Sequence, residues 1–85
     1  AYLSRQLLAL QSELPDVIRE VRGRGCMQGL VLSTDAAPFI PRLLAQGLIA
    51  NATAGNVIRL VPPFIITEAD VDAAVQALRT VLSER

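Results

Sequence analysis

The sequence predicts a small α+β fold, a two-layer sandwich in which helices cover one face of a three- to four-stranded, mostly antiparallel sheet. Segments with apolar residues at helical spacing lie at both ends of the chain. Short aliphatic stretches bounded by Gly and Pro lie between them, as strands do. These observations predict one domain over residues 1–85 with the element order α-β-α-β-β-α.

Residues 1–14 are predicted to form an amphipathic helix that ends before Pro15. No Ser, Thr, Asp or Asn precedes the first turn as an N-cap, so we expect the helix to continue one that begins earlier in a longer protein. Its apolar face is formed by Leu3, Leu7, Leu10 and Leu14.

The middle of the chain predicts a strand followed by a short helix. Residues 17–22 alternate weakly and are expected to be extended, whereas residues 26–32 are apolar on both faces, as in a central strand. Pro38 and Pro41 predict a frayed or 3₁₀-like first turn of the second helix. Gly47 is expected just beyond its end, with a positive φ.

A hairpin is predicted next. Residues 48–51 form its first strand, residues 52–55 its turn, and residues 56–62 its second strand. Pro62 and Pro63 are expected to end the ladder, because proline cannot donate a backbone hydrogen bond.

The last helix has the strongest signals. Thr67 is the expected N-cap, Asp70 completes a capping box, and Ile66 is placed to contact Val71 across the cap. The predicted buried stripe consists of Val71, Ala74, Val75, Leu78 and Leu82.

Composition restricts the function. The net charge is zero, with eight basic and eight acidic residues, which gives no global field for nucleic acid or a membrane surface. All eight basic residues are Arg, and there is no His, so the commonest general base and the Schiff-base nucleophile are absent. A single cysteine, Cys26, excludes an internal disulfide, argues against a zinc site and fits a reducing compartment. The chain alone is therefore not expected to be an enzyme or to bind metal.

Three segments are candidate binding sites. Arg59 lies within the apolar "VIRLV" and fits either an exposed strand residue or an inward carboxylate anchor, because guanidinium matches a carboxylate in two parallel bonds. Residues 22–25, "RGRG", fit a turn or bulge entering a strand better than an RNA-binding segment. Residues 51–56, "NATAGN", fit a hairpin loop better than an anion cradle. Cys26 is expected to be a buried small hydrophobe.

Two stretches, "EVRGRGCMQGLVL" and "GLIANATAGNVIRLVPPFIITEADVDAAVQAL", resemble the C-terminal part of class III pyridoxal-phosphate aminotransferases. The likeness covers nearly the whole chain and is strongest to the acetylornithine branch, with the ornithine and 4-aminobutyrate branches next. It implies a fold type I homodimer of which residues 1–85 would be the C-terminal small domain. The lysine and phosphate-binding residues that hold pyridoxal phosphate would lie in a large domain outside the chain.

The resemblance also assigns residues. Arg59 matches the arginine that holds the substrate carboxylate, while Asn51 and Thr53 match positions near the mouth of the site with weaker support. Arg22 and Arg24 match family arginines that we expect to be structural. The implied reaction transfers an amino group from acetylornithine, or a related ω-amino donor, to 2-oxoglutarate in the cytoplasm, within arginine biosynthesis. The chain alone is expected to be inactive.

Two other functions stay open at this point. An independent α+β module could bind an amino acid through Arg59 without catalysis, and a designed scaffold could be retained for its fold alone. Neither nucleic acid nor a membrane is an expected partner. The sequence does not choose among acetylornithine, succinyl-diaminopimelate, ornithine and 4-aminobutyrate as donor.

Overall fold

A computed structural model describes residues 2–24, 27–60 and 67–84. Within these ranges the chain forms three helices and four strands. The helices are α1 (Tyr2–Glu13), α2 (Phe39–Ala45) and α3 (Glu68–Ser83). The strands are β1 (Ile18–Arg24), β2 (Met27–Leu32), β3 (Ala50–Thr53) and β4 (Val57–Leu60).

The four strands form one sheet in the order β1-β2-β4-β3, and every neighbouring pair is antiparallel. Helix α1 contacts β1 and α3, whereas α2 contacts β3 and α3, so the helices lie in the order α1-α3-α2. The predicted α+β sandwich, with an antiparallel sheet and helices on one face, is confirmed.

Strand β1 is longer than its sequence pattern indicates. Residues 17–22 alternate only weakly, yet Ile18–Arg24 pairs along the length of β2, so two strands separate α1 from α2. The register shifts between Ile18 and Glu20, and Ile18 and Val21 both pair with helix-facing leucines although they are three residues apart. Because this bulge breaks the two-residue period, the strand pattern is hidden in the sequence. Strand β2 begins at Met27, so the prediction for Cys26 lies outside the described residues.

The core lies between the sheet and the helix layer. Leucines dominate it, as the low aromatic content of the chain requires. Gln28 is a buried polar residue here, 2% exposed, and its Nε2 donates to Ser4 Oγ at 2.8 Å. That hydrogen bond joins β2 to α1 within an otherwise apolar layer. The residues with no exposed surface include Leu7, Leu10, Leu30, Leu32, Leu43, Ile58, Leu78 and Leu82.

The predicted N-terminus of α3 is confirmed. Asp70 N donates to Thr67 Oγ1 at 3.1 Å, and Thr67 N donates to Asp70 Oδ2 at 3.2 Å, which completes a capping box. Ala74 is half-buried, whereas Ala77 and Val81 are buried beside the predicted stripe. The predicted contact of Ile66 across the cap lies outside the described residues.

The hairpin is displaced along the chain from its predicted position. Its first strand is Ala50–Thr53 rather than 48–51, because Leu48 N donates to Leu43 O and is therefore part of the turn that follows α2. The loop is 54–56 rather than 52–55, with Ala54 at φ 51° and Gly55 at φ 80°. The predicted end of the second strand at Pro62 and Pro63 lies outside the described residues.

The ends of α2 follow the prediction. Phe39 N donates to Ala36 O at 3.0 Å and Ile40 N to Ala37 O at 3.2 Å, which are three-residue bonds of the 3₁₀ type. Gly47 has a φ of 88°, as expected for the residue that follows a helix C-cap.

Among the described residues, two side-chain pairs make polar contacts between α1 and α3. Tyr2 Oη donates to Asp72 Oδ1 at 2.6 Å, and Arg79 donates through Nε and Nη2 to the two carboxylate oxygens of Glu13, each at 2.9 Å. The hydrogen bond from Arg79 lowers the pKa of Glu13 from its usual value. The hydrogen bond to Asp72 raises the pKa of Tyr2, since it requires the phenol proton.

These two contacts should limit stability at opposite ends of the pH scale. Glu13 has a lowered pKa, so its contribution is present above 4.5 and is lost as the pH falls through the folded-state value. Tyr2 has a raised pKa, so its contribution is present below 10.0 and is lost as the pH rises above that. We expect Glu13→Gln to flatten the acid side of a plot of melting temperature against pH, and Tyr2→Phe the alkaline side. An unchanged slope in both variants would contradict this assignment.

Two glycines offer a matched test of backbone conformation. A Cβ on Gly55 would meet no atom within 4 Å, but its φ of 80° is one that side chains disfavour, so Gly55→Ala should cost about 1–2 kcal/mol. A Cβ on Gly29 would lie 3.4 Å from Val57 Cγ1, an ordinary contact in an extended strand, so Gly29→Ala should be neutral or stabilising by up to about 1 kcal/mol. Urea unfolding of both variants checks this, and equal losses would rule out the conformational explanation.

Candidate functional site

The sheet face that points away from the helices carries the candidate site. A continuous row crosses all four strands there, in which Arg22 pairs with Gly29, Gly29 with Arg59, and Arg59 with Asn51. Because paired residues in a sheet point to the same side, the polar side chains in this row share one face. We call this surface the open face.

A second row lies beside the first on the open face. Glu20 pairs with Val31, Val31 with Val57, and Val57 with Thr53. Val31 and Val57 are half-buried, so the centre of the open face is apolar and its ends are polar. The two rows together give a mixed surface in which charged groups surround a small aliphatic patch.

A shallow cleft of about 280 Å³ lies on this surface. Its apolar floor and cationic walls suit an anion that has a short aliphatic part. The cleft is lined by Arg22, Gly23, Gln28, Gly29, Thr53, Ala54, Val57 and Arg59.

Arg59 is exposed on β4, between the neighbouring strands β2 and β3. Its strand neighbours Ile58 and Leu60 are buried on the helix side, so the apolar run around Arg59 supplies the core from one side only. No hydrogen bond or ion pair joins the Arg59 guanidinium to another residue in the described part of the chain. The exposure fits a strand residue that faces water, and the unengaged fork leaves its donors available to a carboxylate.

Asn51 and Thr53 lie beside Arg59 on the edge strand β3. Asn51 is directly opposite Arg59, and Thr53 is opposite Val57 and lines the cleft. The structure therefore brings the three predicted site residues together on one surface. Their binding roles stay predictions.

Arg22 was not predicted as a site residue, yet it lines the same cleft. Its Nε donates to Glu20 Oε2 at 2.8 Å, and 66% of its side chain is exposed. The segment predicted as a turn or bulge is, over residues 22–24, the end of β1. The sequence could not place Arg22 near Arg59, because the pairing between β2 and β4 joins segments that are far apart in the chain.

Among the described residues, no group of three or more His, Cys, Asp or Glu side chains is arranged to hold a metal ion. No described helix is both long enough and apolar enough to cross a bilayer. The loop 54–56 is tied to β2 by Asn56, whose Nδ2 donates to Leu32 O at 3.0 Å. The open face is thus the surface with the clearest binding chemistry in the described ranges.

Comparison with known proteins decides the family. A family model described as aminotransferase class-III matches residues 1–82. The chain belongs to the class-III aminotransferases. An acetylornithine aminotransferase from Caldanaerobacter subterraneus subsp. tengcongensis is 44% identical over 69 residues, which is 80% of this chain and 18% of the relative. An ornithine aminotransferase from Bordetella pertussis is 42% identical over 86 residues, 98% of this chain and 20% of the relative.

Solved aminotransferase structures share the fold. Lysine aminotransferase from M. tuberculosis, in its internal aldimine form, superposes with a TM-score of 0.90 at 32% identity, over 98% of this chain and 20% of that one. N-acetylornithine aminotransferase from Stenotrophomonas maltophilia gives a TM-score of 0.82 at 32% identity. The match covers 96% of this chain and 23% of that one. The chain thus spans about a fifth of the relatives it matches, and the predicted family resemblance is confirmed.

Proposed function

We propose that this chain is the C-terminal small domain of a pyridoxal-phosphate-dependent aminotransferase. The amino donor would be acetylornithine or a related ω-amino compound, and the acceptor 2-oxoglutarate. The family match over residues 1–82 supports the reaction class. The observation that carries the proposed site is the exposed guanidinium of Arg59 at a cleft on the open face, which no hydrogen bond or ion pair engages within residues 2–24, 27–60 and 67–84.

Arg59 would act by orientation. Its planar fork can donate to both oxygens of a substrate carboxylate, and a paired strand on each side holds its backbone in place. A substrate fixed at its carboxylate presents its reacting carbon in one orientation, which favours proton removal there. Asn51, directly opposite Arg59, could add an amide hydrogen bond to the same carboxylate, and Thr53 a hydroxyl at the rim of the cleft.

The residues of this chain do not form a complete pyridoxal-phosphate site. The chain contains no lysine, so no side chain here can form a Schiff base with the cofactor aldehyde. We therefore assign the cofactor to a large domain outside this chain. What this chain would supply is the positioning of the substrate carboxylate.

The partners follow from the same proposal. The open face, with half-buried Val31 and Val57 between charged residues, would pack against the chain's own large domain. The whole enzyme would be a homodimer in the cytoplasm that serves arginine biosynthesis. Its small-molecule partners would be amino acids and 2-oxo acids, with neither nucleic acid nor a membrane among them.

A chimeric enzyme tests the role of Arg59. We expect that this chain, substituted for the matching segment of the Stenotrophomonas maltophilia N-acetylornithine aminotransferase, supports amino transfer from acetylornithine to 2-oxoglutarate. Arg59→Gln should then lower kcat/KM by about 30-fold or more, because losing one charge-assisted pair in a closed site costs at least about 2 kcal/mol. Arg59→Lys keeps the positive charge but loses the planar guanidinium, so its kcat/KM should lie between those of the parent chimera and the Arg59→Gln variant.

Arg5→Gln is the matched control for the chimera. It removes the same charge from α1, on the helix side of the sheet, and should leave kcat/KM unchanged. An Arg59→Gln chimera as active as its parent would refute the anchor. Micromolar, Arg59-dependent binding of glutamate to the isolated chain, measured by calorimetry, would instead favour an independent amino-acid-binding module.

Absorbance spectroscopy tests the cofactor assignment. We expect the isolated chain mixed with pyridoxal phosphate to show no band of an internal aldimine, because it has no lysine ε-amino group. A borohydride-trappable adduct on this chain, located by mass spectrometry away from the N-terminal amine, would contradict the assignment.

A further inference from the structure

The leucines of α1 recur at nearly the same spacing along the helix. Leu3, Leu7, Leu10 and Leu14 follow one another at intervals of four, three and four residues, each close to one helical turn. If α1 moved along its axis by one turn, leucine would therefore replace leucine against the sheet. Because apolar packing is non-directional, it distinguishes two such registers only weakly.

The turn that follows α1 gives the chain enough length for such a displacement. Leu14 O accepts from Val17 N at 3.1 Å and from Ile18 N at 2.9 Å, so residues 14–17 form a compact turn. Four extended residues reach about 13 Å, whereas one helical turn rises about 5.4 Å. The contacts of Tyr2 and Glu13 with α3 oppose the displacement, but they are exposed, and exposed pairs contribute little.

Gln28 contacts α1 at one position of this repeat. Its side chain is buried, and its Nε2 donates to Ser4 Oγ at 2.8 Å. After a displacement of one turn, Leu8, which is 51% exposed in the structure, would lie where Ser4 lies now. The buried amide of Gln28 would then face a leucine side chain, and losing a buried hydrogen bond is costly. The hydrogen bond to Ser4 therefore favours the observed register.

Gln11 makes a second polar contact, two turns further along α1 than Ser4. Its Nε2 donates to Arg19 O at 2.8 Å. Arg19 lies at the bulge of β1, where the register with β2 shifts between Ile18 and Glu20. Because a bulge leaves its extra residue out of the ladder, this carbonyl is available to a side chain. A displacement of α1 in either direction would break this contact as well.

We infer that Gln28 fixes the register of α1 on the sheet and is thereby a positioning residue for the proposed reaction, with Gln11 as a secondary contact. The inference rests on the proposed function, in which the large domain precedes α1 in the chain. The register of α1 then sets where Arg59 lies relative to that domain. A displacement of about 5.4 Å exceeds what catalysis tolerates, since a misplacement of about 1 Å can cost about a hundredfold in rate.

NMR of the ¹³C,¹⁵N-labelled 85-residue chain tests the register. In the wild type, nuclear Overhauser effects should connect the side chain of Gln28 with Ser4. In Gln28→Leu, the substituted side chain should instead show them with Leu8, because the displaced register then pairs two apolar side chains. Adding Leu8→Gln should restore the contact with Ser4, since position 8 is exposed in the observed register and would be buried in the displaced one.

The Stenotrophomonas maltophilia chimera tests the positioning role. Gln28→Leu should lower kcat/KM about tenfold or more, because the open face is then displaced in part of the molecules. The melting temperature should not fall, because Ser4 is only half-buried and its hydroxyl can turn to water. Adding Leu8→Gln should bring kcat/KM back to within about threefold of the parent, and Leu8→Gln alone, a surface change, should leave it unchanged.

The two measurements separate the possible failures. If the Gln28→Leu side chain still contacts Ser4, the register does not depend on Gln28 and the inference fails. It fails equally if the register changes while kcat/KM stays the same. If kcat/KM and the melting temperature fall together and Leu8→Gln restores neither, Gln28 is a structural residue only. A parent chimera without activity would refute the proposed function instead, and the NMR contacts would still decide the register.

Discussion

The pairing of β2 with β4 is the constraint on which the rest of the structure depends. It joins an N-terminal hairpin, β1-β2, to a C-terminal hairpin, β3-β4, through three residue pairs from Gly29 with Arg59 to Val31 with Val57. Without it each hairpin would be a marginal two-stranded unit with no second layer to cover it. With it the chain has one four-stranded sheet, one surface for three helices and one open face.

Because side chains alternate between the two sides of each strand, one face of the sheet packs against the helices and the other faces outward. On β4, Ile58 and Leu60 enter the core, while Val57 and Arg59 face outward. An arginine inside an apolar run is therefore compatible with a well-packed core, because its neighbours are buried on the other side of the sheet. The same division lets residues of the open face change without disturbing the leucine core on the other side of the sheet.

A class-III aminotransferase segment without lysine separates two tasks of such an enzyme. Covalent chemistry on the cofactor needs an amine that this chain lacks, whereas the orientation proposed for the substrate carboxylate needs a guanidinium, which Arg59 presents from a strand that is paired on both sides. On the open face, Arg59 and Arg22 lie in one row of paired residues, on either side of Gly29.

The sequence by itself determined the fold class, the capping box of α3, the 3₁₀-like start of α2 and the family, because these depend on local patterns and on residue identities. It marked Arg59 as a candidate by its place within an apolar run, whereas the preference for the anchor role of Arg59 and the choice of Asn51 and Thr53 came from a resemblance. Only the tertiary structure decided that β1 is a full strand, since a bulge hides its period, and that the hairpin loop is 54–56. Only the strand register placed Arg22 in the same row as Arg59. The pairing of strands that are distant in sequence depends on how their apolar faces pack against a common helix layer. A local sequence pattern does not contain that information.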